Sequence, residues 1–295
     1  MPRGGSFFTA CCHDGEPLPY AAARGPARAT VPERESMTLA GLPADWTFYA
    51  VGGLATFLMG LGKGAFGGGL AILGIPLLAL VMDPIQAAIV TALLVAFMDV
   101  FALASFPRTA WSKPDLTWIM PGFLGGLLLG FLVFEYVDRR WVAFGIALIT
   151  LAFTLDYFWR RGMAVTPSPV SPPLATAAGA GAGFTTYIAH AGGPPMAMYL
   201  LRRGLTKTEY AATTVAIFTV GNVVKLPGYV YSGLGEPGVF VKALALAPVV
   251  PVGVLVGRRL HDALPRQQLF TLCYVLVGLA GTKLLFDATR ALWWP

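Results

Sequence analysis

The sequence predicts an all-α, polytopic membrane protein with about eight transmembrane segments in two internal repeats, each opening on an interrupted segment. Three observations predict it. Charge is scarce: 21 Lys and Arg plus 15 Asp and Glu make 12% of the 295 residues, where an average soluble domain carries roughly 25%. Charge-free stretches recur along the whole chain, at 46–62, 64–82, 84–98, 116–134, 141–155, 162–201, 210–224, 243–257 and 267–282. The longer ones reach the ~20 helical residues that cross a bilayer core, and the shorter ones reach it with snorkelling ends. The third observation is that two stretches exceed one straight helix and are broken by Gly and Pro at matching places.

Residues 1–40 differ in material. They are rich in Pro, Arg, Ala and Gly, lack an apolar signal-peptide core, and read as a disordered leader. Met37 reads as an alternative start. Cys11, Cys12 and His13 lack the fourth ligand and spacing of a metal site, so no metal is expected. The remaining cysteine, Cys273, sits in an apolar run, and no disulfide framework follows.

The first repeat is expected over 41–160. Its first span, 46–82, holds 37 residues with Lys63 as the only formal charge, and it is broken at "GLGKGAFGGG" (60–69). Spans at 85–106, 116–136 and 140–159 follow. A connector at 161–173 contains "TPSPVSPP", whose prolines favour extended chain. The second repeat, 174–291, opens with 174–201, broken at Gly192, Gly193, Pro194 and Pro195. Spans at 208–231, 238–258 and 266–287 complete it. The copies align by short matches: "AFGGGLAILGIP" (65–76) with "AHAGGPPMAMYL" (189–200), and "PIQAAIVT" (84–91) with "TEYAATTV" (208–215), both at an offset of 124. "VDRRW" (137–141) matches "LPRQQ" (264–268) at an offset of 127. Such duplication, with the site at the repeat interface, recurs in secondary transporters.

The breaks are the candidate site. Irregular backbone at membrane depth persists only when buried in protein or lining a wet cavity. A helix restarting after a glycine loop offers free N–H groups and the positive end of its dipole, which suit an anion. The expected ligands are the backbone at Gly67, Gly68, Gly69, Gly192 and Gly193, with Lys63 adding charge. The competing reading is that these glycines serve close helix packing. His190, in the second break, titrates near neutral pH and is the candidate proton carrier. Lys225 lies deep in its span, where charge is expensive and usually functional, and Asn222 shares its helix face. Asp99 falls at the equivalent depth of the first half. An Asp99–Lys225 ion pair is expected there, either as a proton-sensitive latch or as a structural tie, and Asp99 joins His190 as a coupling candidate. Thr91, Thr213 and Thr214 either bond substrate or satisfy carbonyls of their own helices. Lys242 and Lys283 read as interface residues. The tryptophans at 46, 111, 118, 141, 159, 293 and 294 flank the spans as an aromatic belt.

The basic pairs Arg139-Arg140, Arg160-Arg161, Arg202-Arg203 and Arg258-Arg259 sit between apolar runs, so the net charge of +6 marks membrane flanks, not a nucleic-acid surface. If each interrupted segment crosses once, Arg139, Arg140, Arg202, Arg203, Lys207, Arg258, Arg259 and Arg266 share the cytoplasmic side. Arg108, Lys113, Arg160, Arg161 and Arg290 then share the other, with both termini outside. A re-entrant segment changes this arrangement. No phosphate-binding G-x-x-x-x-G-K-[ST], no H-E-x-x-H and no G-x-S-x-G occurs, so neither ATP drive, metalloprotease nor serine-hydrolase chemistry is expected, and no cofactor.

The pattern GxGxGAFGGGxxxxxxP (60–76), the second-half "GAGFTTYIAHAGGPP" (181–195) and the small-residue helix after each resemble the sulfite exporter TauE/SafE family of membrane permeases, over about residues 46–290. The second half departs from the family's usual pattern, with Ala191-Gly192-Gly193-Pro194 where another glycine triplet is common. The resemblance implies a multi-pass protein of the bacterial inner membrane that moves small anions such as sulfite, sulfoacetate and related organosulfur compounds. The expected function is a secondary transporter exporting such an anion, not an enzyme. Its expected partners are that anionic solute and the lipid bilayer, with a homodimer left open. The rival readings are a passive anion channel and an intramembrane enzyme or sensor using His190 and Asp99.

Overall fold

The structure, a computed structural model, describes residues 45–68, 74–133, 139–159, 167–189, 192–233 and 238–293. The expected leader, Gly69 and His190 lie outside the described residues. Every regular element among them is helical: α1 (Trp46–Phe66), α2 (Gly74–Leu78), α3 (Pro84–Ser105), α4 (Lys113–Val133), α5 (Arg139–Trp159), α6 (Pro172–Ala189), α7 (Gly193–Leu200), α8 (Lys207–Gly233), α9 (Val239–Leu246), α10 (Val249–Ala263) and α11 (Arg266–Trp293). Three of them, across Gln86–Ser105, Lys113–Val133 and Gln267–Arg290, are long and apolar enough to cross a membrane. The pair α9–α10 makes a fourth if taken as one span bent by 42°. The expected single span 238–258 breaks there because Pro248 follows Ala247 and withdraws a backbone donor.

Both interrupted segments turn back on themselves. α1 is capped by Asp45, whose carboxylate accepts from the Thr47 N–H at 2.9 Å. It ends at Gly67, where φ is +77° and the N–H returns to the Lys63 carbonyl at 3.1 Å. That left-handed cap is the conformation glycine adopts without steric cost. α2 then retraces α1: Gly74 stands against Met59, and Leu78 against Gly52. In the second segment, Gly192 packs on Ala182 and Thr186 of α6. The hairpin closes at its base, where the Ser168 N–H donates to the Arg202 carbonyl at 2.9 Å.

Two glycine seams join these hairpins to other helices. Along α1 and α10, Gly60 meets Gly253, Gly64 meets Val254 and Arg258, and Gly257 meets Leu61 and Ala65. Contacts advance in the same direction on both helices, so they run parallel. A Cβ at Gly64 would stand 2.1 Å from the Val254 carbonyl oxygen, which is why small residues line this seam. α4 and α6 form a second parallel seam, with Gly122 on Thr176, Gly126 on Ala180 and Gly183 on Phe123 and Leu127. By contrast, α3 and α8 run antiparallel, joined at Asp99–Asn222, and past the end of α3 the Ser112 N–H donates to Thr213 Oγ1 nearer the start of α8. α5 and α11 are antiparallel as well, with Thr154 on Gly278 and Thr150 on Gly281. Outward faces carry bare Leu124, Leu128, Phe131 and Leu132 on α4, as suits a helix against lipid rather than water.

The folded-back hairpins overturn the expected sorting of basic residues. Arg203 Nε donates to Asp115 Oδ1 at 2.7 Å, and Asp115 sits two residues beyond Lys113. The Arg258 guanidinium lies 4.7 Å from the centroid of the Phe106 ring, next to Arg108. Arg108 and Lys113 therefore share a face with Arg203 and Arg258, instead of opposing them. Lys242 also departs from expectation. It is 1% exposed and donates to Gln86 Oε1 at 2.7 Å, so it is a buried tie between α9 and α3. Lys283 does sit outside, paired with Asp287 one turn on.

Candidate functional site

One face of α8 builds the site. Ala211, Thr214, Phe218, Asn222 and Lys225 recur at three- and four-residue steps, so they form a stripe along one side of the helix. At 1.5 Å per residue the stripe is about 21 Å long. The Ala211 carbonyl and Thr214 lie against Gly67. Phe218 lies against Gly68 and Gly192. Asn222 and Lys225 lead into a buried polar cluster.

Asp99 on α3 is the hub of that cluster. The Lys63 ammonium stands 2.6 Å from Asp99 Oδ1, with the side chains 4% and 3% exposed. The contact is an ion pair, and Oδ1 has no hydrogen-bond donor among the described residues. Asn222 Nδ2 donates to Oδ2 at 2.7 Å. Lys63 also occupies the last turn of α1, where the carbonyl end of the helix favours a cation.

Lys225 stands apart from this pair, which corrects the expected Asp99–Lys225 bridge. Its ammonium reaches the carbonyl and the hydroxyl of Thr186 on α6, each at 3.4 Å. Lys63 takes the Asp99 carboxylate because the end of α1 brings its side chain between α3 and α8. Lys225 is 9% exposed and lies within electrostatic reach of both Lys63 and Asp99. Two ammonium groups and one carboxylate thus leave the cluster with one excess positive charge. Among the described residues Lys225 is held by two long neutral contacts, and a buried charge so held is poorly compensated.

The other expected site residues divide. Gly68 and Gly192 meet at Phe218, whereas Gly67 stands one turn away against Ala211 and Thr214. The Gly67 N–H is spent on its own helix, and α7, which begins at Gly193, carries Pro194 and Pro195 in its first turn without N–H donors. Side-chain cations therefore outweigh restart amides among the described groups. Thr91 is buried beside Gly74, two turns from Asp99, and its hydroxyl has no partner among the described residues. Thr214 bonds the Tyr210 carbonyl of its own helix at 2.8 Å. Gly69 and His190 lie outside the described residues.

The sequence reading missed Thr186 and Phe218. Phe218 could have been found by extending the Asn222–Lys225 face back one turn. Thr186 carried a weaker signal, a threonine pair six residues before the second break. A cavity of about 600 Å³ adjoins this hairpin. Its lining includes Ser168, Gly181, Thr185, Pro195, Arg202 and Arg203.

No curated protein and no solved structure matches the chain. Residues 52–284 match the family model described as sulfite exporter TauE/SafE, a span that takes in the glycine breaks, the Lys63–Asp99–Asn222 cluster and Lys225. The chain belongs to the TauE/SafE sulfite exporter family, whose members are membrane permeases for sulfur compounds.

Proposed function

We propose that the protein is a secondary transporter that exports a small sulfur oxyanion or sulfonate across the bacterial inner membrane, and that Lys225 is the main cationic ligand. The observation that carries this reading is the Lys225 ammonium, buried with two Thr186 oxygens at 3.4 Å as its hydrogen-bond partners among the described residues, while the nearby carboxylate is held by Lys63 and Asn222. Sulfite and sulfoacetate are the first substrates to try. Asp99 is the coupling carboxylate. Protonation there would free Lys63 from its ion pair, which links the proton on Asp99 to the positive charge available to the anion.

Two inverted repeats of about four spans each account for the packing. An axis in the membrane plane that exchanges α1 with α6 and α4 with α9–α10 turns one parallel glycine seam into the other. The same axis exchanges the antiparallel partners α3 with α8, and α5 with α11. The face holding Arg108, Lys113, Arg202, Arg203, Lys207 and Arg258 is cytoplasmic by its excess of basic residues.

Flux of labelled sulfite, sulfate and sulfoacetate in proteoliposomes tests the proposal. Lys225→Gln is expected to cut flux at least about tenfold, the size of a lost charge-assisted contact, with Lys225→Arg retaining part of it. Undiminished flux in a folded Lys225→Gln protein would sink the ligand assignment. Flux indifferent to imposed pH and sodium gradients would identify a passive channel instead.

A further inference from the structure

Between the two glycine breaks stands the ring of Phe218. Its Cδ2–Cε2 edge faces Gly68, where an added Cβ would stand 3.5 Å from Cδ2. Its opposite edge faces Gly192, where an added Cβ would stand 3.0 Å from Cε1. The ring is braced edge-to-face on Phe123 at a centroid distance of 5.9 Å, and Phe123 is fully buried. Polar groups lie on either side of it along α8. One turn toward the C-terminus is Asn222 with Asp99, and one turn toward the N-terminus is Thr214 beside Gly67. Thr219, next to Phe218, has a buried hydroxyl without a partner among the described residues.

From this geometry we propose that Phe218 is the permeation gate: its ring closes the seam between the two broken hairpins and separates the Lys63–Asp99–Asn222–Lys225 cluster from the Gly67–Thr214 level. The inference rests on the anion-transport reading above. An anion passing between these levels must shed water against an aromatic wall, and an apolar constriction blocks ions by excluding water without needing to be sterically sealed. Glycine at 68 and 192 lets both loops approach the ring, so the breaks shape the gate as well as the site. Transport then requires the ring to swing away from one hairpin while staying on the other.

The test is downhill sulfite leak from proteoliposomes holding the full chain, across Phe218→Tyr, Phe218→Leu, Phe218→Val and Phe218→Ala, with Lys225→Gln alongside. Leak is expected to stay within about twofold of wild type for Tyr and Leu and to rise at least about tenfold by Ala, in order of shrinking side chain. Uphill accumulation should fall in the same order. If Phe218→Ala does not fold, the step from Leu to Val carries the same trend. Leak that is flat across the folded variants overturns the gate. Flat leak with flux still abolished by Lys225→Gln leaves the anion site standing, whereas a graded leak with Lys225→Gln fully active overturns the site and keeps the gate.

Discussion

The two broken hairpins reach a similar fold-back by different chemistry. The first turns on left-handed glycine, with φ of +77° at Gly67 and +154° at Gly68. The second has Gly192 at an ordinary right-handed φ of −72° and starts its return helix on prolines. Their charges differ too. The first hairpin carries its own cation, Lys63, neutralised by Asp99. Thr186 of the second meets a cation that belongs to α8, and its two contacts with Lys225 are long and neutral. Similar scaffolds thus hold one satisfied charge and one unsatisfied charge. Under the proposed function, the paired one serves stability and the other meets the anion.

The largest expected effect separates these two charges. Asp99→Ala strands Lys63 and should cost about 3–5 kcal/mol, the usual penalty for breaking a buried pair. Lys225→Met should leave stability unchanged or raise it by about 1–4 kcal/mol, since it replaces a poorly compensated buried charge with an apolar chain. Chemical unfolding in mixed micelles measures both. Equal losses at the two sites would erase the distinction.

Next in size is the contrast between the turns. An added Cβ at Gly67 would stand 2.4 Å from the Ala211 carbonyl oxygen, and at Gly192 2.7 Å from that of Ala182. Gly67→Ala adds the cost of a left-handed alanine, about 1–2 kcal/mol. It should therefore lower the melting temperature more than Gly192→Ala, and the reverse order would place the tighter turn in the second hairpin.

The smallest effect lies at the hairpin entrances. α1 begins on the Asp45 cap, whereas α6 begins on Pro172 and Pro173. Hydrogen bonds from the Thr47 hydroxyl and amide hold the Asp45 carboxyl below the usual carboxylate value of 3.8. The folded state thus favours the charged form. Its contribution is complete above that value and disappears as pH falls through the lower folded one. Amide protection at Thr47 and Phe48 should exceed that of Asp45→Ala at neutral pH, and the two proteins should converge once pH has fallen through the lowered folded value. A difference that persists below it would show the cap working without its charge.

Much of the helical layout was legible because it depends on composition along the chain. Charge-free runs located the long helices, and clustered Gly and Pro located both breaks. The partner of Asp99 was not legible. The offset of 124 put Asp99 opposite Val223, between Asn222 and Lys225, and both neighbours were credible. Only the position of Lys63 at the end of α1, some 36 residues earlier in sequence, decides between them. The direction of each interrupted segment was hidden for the same reason. A glycine turn that continues across the membrane and one that doubles back have the same local sequence, and contacts such as Leu78 on Gly52 choose between them. Phe218 read as one more apolar residue because its role comes from two loops on separate hairpins.

The seam between α1 and α10 also constrains how the chain is made. Gly60 and Gly253 are 193 positions apart, the difference of their numbers. At a synthesis rate of roughly 5–20 residues per second, the first helix waits about 10–40 s for its mate to be translated. The α4–α6 seam, with Gly126 on Ala180, closes after only 54 residues. The nascent protein therefore closes the α4–α6 seam first and must shelter an uncovered glycine face on α1 until α10 has been made.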